Sequence, residues 1–157
     1  MAAGAITLAN IVSADWSLML DATAGGGPGS GIGNVVQGLG DVNQCVRIIM
    51  STPKGTDPLR PTFAVDLWQY VDYPITAARA AIVREVTDAI LLWEPRVNLI
   101  SVTVAPVMDA TSQSGAHLTV TATWRLKLNG PLITPNVGAA PQSTTVSLPA
   151  AGNLTVR

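Results

Sequence analysis

The chain has a single cysteine, Cys45, and a single histidine, His117, in 157 residues. One cysteine excludes an internal disulfide, and one of each excludes a Cys/His transition-metal cluster, so no metal site is assigned. Cys45 falls on an apolar helical face and reads as a buried, inert thiol. His117 stands on the polar side of an alternating strand, with no nucleophile motif to make it part of a Ser-His-Asp arrangement. Glutamate is equally scarce, Glu85 and Glu94 being the only two. A glycosidase needs two carboxylates facing each other across a sugar. Continuous helix between these two would set them about 13 Å apart, beyond the usual separation. Asp57, Asp66 and Asp72 are alternative partners, but nothing in their spacing singles one out. No catalytic residue and no cofactor site follow from the inventory, and the chain reads as a non-enzyme.

Charge is also sparse. Charged residues make up 12% and the net charge is −1, which leaves no electrostatic footprint for nucleic acid. No apolar run approaches the ~20 residues of a membrane span. The start, Met1-Ala2-Ala3-Gly4-Ala5, lacks the basic segment of a signal peptide, so synthesis in the cytoplasm is expected. The apolar fraction is 48% and the mean hydropathy +0.36. A surface this poor in charge is better suited to burial in an assembly than to life as a lone monomer.

The length fits one domain with a proper core. Its organisation reads as an N-terminal arm and glycine-rich hairpin or loop over 1–40, a central domain over 41–130, and a C-terminal extension over 131–157. Trp16 to Leu20 alternates as a short strand, and Asn34 to Leu39 is the candidate partner. Between them, Gly25 to Gly33 resembles a phosphate loop only superficially. It has neither the Gly-Lys-Ser/Thr ending nor the dinucleotide Gly-x-Gly-x-x-Gly spacing, so a hairpin or linker loop is the expected reading over a nucleotide-binding module. Asp41 looks like the N-cap of a helix that places Val42, Cys45, Val46 and Ile49 on one face and stops before Pro53. A short helix over Phe63 to Tyr70 should bury Phe63, Leu67 and Tyr70 or Val71. A long one over Thr76 to Trp93 carries Ala78, Ile82, Val86, Ala89 and Ile90 at helical spacing.

At Trp93-Glu94-Pro95-Arg96 the periodicity changes. Pro95 disfavours helix at Glu94, and from Val97 to Val104 apolar residues alternate as in a strand. A second strand runs from Ala116 to Leu128, making an antiparallel hairpin and an α+β fold, a small helical core with a hairpin sheet and extended termini. The turn sets an acid beside a base at a helix exit. It is either a solvated helix end, with Arg96 complementing the dipole, or a fixed charged knuckle serving an internal network or a partner. Arg60, Arg79, Arg84 and Arg96 are interspersed with acids, which favours ion pairs over a phosphate groove. Phe63, Leu67 and Trp93 are expected in one core beneath the Arg60-Pro61 loop. Beyond Pro131, Thr144 to Leu148 has strand character, but the segment lacks core-forming density. Two strands alone are marginal, and a long open edge invites association, so the hairpin should complete its sheet with a strand from a neighbour.

Taken in order, Gly55, Arg60-Pro61-x-Phe63, Leu67, Pro74 and the long helix ending in Trp93-Glu94-Pro95-Arg96 resemble the small baseplate-wedge proteins of contractile injection machines. This is the protein W or "lysozyme-like" baseplate family of contractile phage tails, with counterparts in type VI secretion and tail-like bacteriocins. The resemblance covers roughly Asp41 to Pro106, with the Glu-Pro-Arg turn its most specific motif. Ala64 is a departure, standing where many members carry glycine. The resemblance implies a structural subunit of a virion tail baseplate that connects wedge to sheath and templates sheath assembly. Its partners would be other wedge proteins and the sheath protein, with hub or tube proteins as further neighbours. Glu94, Pro95, Arg96, Arg60, Pro61, Phe63 and Trp93 would form the structural or interface motif, and the hairpin residues Thr119, Thr121 and Thr123 would meet the sheath. The name also implies the alternative, a tail-associated peptidoglycan hydrolase, to which the residue inventory lends little.

Overall fold

A computed structural model of the protein describes residues 15–20, 34–70, 73–108, 116–127 and 140–148. The glycine loop, the extreme N-terminal arm, Val71 and the side-chain reading of His117 lie outside the described residues. Trp16–Leu18 (β1) and Val35–Gln37 (β2) pair antiparallel, as the alternation implied.

The first helix, α1 (Leu39–Ser51), begins two residues before Asp41. Its N-cap is Gly38, held at φ 55°, a left-handed conformation that favours glycine. Asp41 is therefore not the cap. It sits in the first helical turn, 3% exposed, on the same side as Val42, Val46, Ile49 and Met50. The helix stops at Thr52, which is extended ahead of Pro53. The short helix expected from Phe63 is a single 3-10 turn, Leu67–Tyr70. Ahead of it Ala64 adopts φ 71°, a strained choice for any residue with a Cβ and the reason glycine suits this position. The second helix, α2 (Ile75–Trp93), follows Pro74 directly and ends at Glu94 before Pro95.

β3 (Val97–Met108), β4 (Ala116–Leu126) and β5 (Gln142–Leu148) form one antiparallel sheet in the order β3-β4-β5. The fold is thus α+β: two helices cover one face of this sheet, α2 against β3 and α1 against β5. Val97, Val104, Val120, Ala122 and Trp124 point into the core, where they meet Val42, Val46, Ile82, Val86 and Ile90. The opposite face carries the alternate residues of each strand. Phe63 and Trp93 pack edge-to-face at the core margin, with ring centroids 5.2 Å apart, and Leu67 is buried nearby.

β5 corrects the expectation of a C-terminal segment without core-forming character. It runs along the β4 edge of the hairpin, so this chain supplies the third strand itself. Its placement rests on a relay through buried Thr144: Trp124 Nε1 donates to Thr144 Oγ1 at 2.9 Å, and Thr144 Oγ1 donates to Asn43 Oδ1 at 2.6 Å. One hydroxyl thereby ties β4, β5 and α1 together, while Val146 packs on the core. Removing it strands a buried indole N–H. Thr144→Val should therefore cost about 1–3 kcal/mol, and Thr144→Ser should retain most of the stability. Denaturant melts of the two variants check this, and equal midpoints for both would refute it.

Candidate functional site

The helix end, the turn and the start of β3 converge on the Arg96 guanidinium. Proline at 95 fixes the exit of α2, so Glu94 and Arg96 project back toward the N-terminus of α1. Nε of Arg96 donates to Glu94 Oε1 at 2.7 Å, and Nη2 to Glu94 Oε2 at 2.8 Å. Nη1 donates to Asp41 Oδ2 at 2.9 Å and to Asp15 Oδ1 at 3.2 Å. Nη2 also reaches Cys45 Sγ at 3.4 Å. A guanidinium has five N–H donors in a planar fork, and these five contacts use all of them. Asp41 and Glu94 side chains are only 5% and 4% exposed.

Electrostatics follow from this geometry. The Arg96 pKa is raised further above its ordinary value, first by the Glu94 hydrogen bonds, with burial working in the opposite direction. The Cys45 thiol is pushed up by burial and then by the Asp41 and Glu94 carboxylates, with Arg96 offsetting part of the shift. Cys45 is thus a protonated, weak acceptor rather than a nucleophile. Among the described residues there is no group of His, Cys, Asp and Glu arranged to hold a metal ion.

The anticipated motif divides into two clusters joined through Trp93. Glu94 and Arg96 make the buried network, with Pro95 exposed at its tip. Arg60 lies over the Phe63 ring at 5.2 Å and pairs with Asp57 at 3.3 Å, next to exposed Pro61. Phe63 in turn meets Trp93. Asp15 and Asp41 were invisible as members of this site, because they lie 81 and 55 positions from Arg96. The only hint of Asp41 was an acid at a helix start. Thr119, Thr121 and Thr123 lie on the outer sheet face, in the central strand. Glu85 accepts from the Asp66 amide at 2.8 Å and, at 3.4 Å, from Gln69 Nε2. Both glutamates are therefore occupied within the fold.

Residues 36–129 match the family of the baseplate wedge protein gp25, and the chain belongs to that family. It shares the fold of a proposed tail lysozyme from Geobacter sulfurreducens, at 26% identity and a TM-score of 0.52, over 71% of this chain and 92% of that one. Two baseplate structures are also similar. The postcontracted pyocin R2 baseplate matches at 28% identity over 61% of this chain and 92% of that one, with a TM-score of 0.49. The anti-feeding prophage baseplate matches at 26% identity over 60% and 75%, with a TM-score of 0.47. No curated protein matches the chain. The protein is a structural component of a contractile-tail baseplate and associates with other baseplate proteins. No helix among the described residues is long and apolar enough to cross a membrane.

Saturation of the fork changes what loss of Arg96 should do. Arg96→Ala leaves the buried Asp41 and Glu94 carboxylates without their cation, at a cost of roughly 3–5 kcal/mol. Arg96→Lys keeps the charge but not the five-donor fork, and should recover less than half of that. Urea melts of the purified protein measure both. Wild-type stability in Arg96→Ala would show that the network is dispensable to the fold.

Proposed function

We propose that this subunit connects the baseplate wedge to the sheath and templates the first sheath layer. The observation that carries the reading is the sheet's outer face. Ser101, Thr103, Thr121, Thr123, Ser143 and Thr145 lie side by side there, with Thr121 and Thr145 hydroxyls 3.2 Å apart. A neighbour covering this patch desolvates no charge, and each hydroxyl donates or accepts as required. Thr119, Thr121 and Thr123 meet the sheath through side chains in this reading, since both main-chain edges of β4 are already paired.

The wedge side is the Glu-Pro-Arg turn. With every Arg96 donor used internally, Glu94 and Arg96 hold the turn in shape, and its exposed surroundings do the docking. Pro95, Arg60 and Pro61 supply that surface, together with Leu91 and Leu92, which are 53% and 66% exposed at the end of α2. Phe63 and Trp93 back it from within. One similar structure is a proposed tail lysozyme, but the carboxylates of Glu85 and Glu94 are bound to partners inside this fold, which argues against the peptidoglycan hydrolase.

The test separates fold from assembly. Thr121→Lys with Thr123→Lys places two charges on the outer face of the central strand, pointing away from the core. The variant should melt close to wild type and enter baseplates, yet give at least ten-fold fewer sheathed tails by electron microscopy. Normal numbers of sheathed tails from this double variant would overturn the sheath contact. Proline at either position is unsuited to the question, because a central strand loses ladder bonds to it.

A further inference from the structure

We draw no further inference here: the strongest candidate, the cavity of about 530 Å³ between α2 and the 54–64 loop, lined by Lys54, Thr62, Tyr70, Arg84, Leu92 and Trp93, belongs to the turn surface already described, and nothing in the structure shows what else would cover it.

Discussion

One guanidinium holds this domain's separate parts in a common frame. Arg96 meets Glu94 at the end of α2, Asp41 and Cys45 in α1, and Asp15 just ahead of β1. These segments have no covalent reason to stay together, and the network is the polar contact that all of them share. Three carboxylates around one cation would be unfavourable if the donors were fewer. The planar fork gives each contact its own N–H, which is why lysine is no equivalent. A buried ion pair is often neutral in net stability against an apolar substitute, and its better-supported use is to fix arrangement. Here the arrangement includes the exit angle of α2 and the anchoring of the N-terminal hairpin.

That hairpin is held by a second polar device of the same kind. Gln44 accepts from the Leu20 amide at 3.0 Å and donates to the Leu18 carbonyl at 2.7 Å. A side chain of α1 thus occupies main-chain groups of the β1 segment that another strand would otherwise seek. Together with Asp15 it makes the N-terminal strand part of the folded unit, although the family match begins only at residue 36.

The helices and the hairpin were legible because their signals are periodic and local. Ala78 to Trp93 at helical spacing, Pro95 as terminator, and the alternation through Trp124 each needed only a short window. Asp41 was misread as a cap because the same residue type serves a helix start whether its carboxylate turns to the backbone or to a distant arginine. Gly38 gave the actual start, but a glycine there carries no polarity to mark it. β5 was undervalued for a related reason. Thr144 looks like a surface residue in sequence, and only the indole of Trp124 and the amide oxygen of Asn43 make it a core residue. Ala64 stood out as a departure from the family, and its positive φ explains why glycine is the easier choice there.

The position of Arg96 also links the two ends of the molecule mechanically. It directly precedes Val97, the first residue of β3, and its carbonyl accepts from Lys127 N at 2.8 Å, closing the base of the hairpin. From that base β3 runs twelve residues, a reach of roughly 35–40 Å at the usual strand rise. A rotation of the turn would therefore be carried to the hairpin's far end as a displacement in proportion to that length. Loosening the guanidinium contacts frees the base of this lever, whereas loosening the Thr144 relay frees only one strand along it. The proposed role between wedge and sheath would need the first kind of rigidity more than the second. The most saturated polar network accordingly sits at the turn, where the side-chain fork and the strand register meet in a single residue.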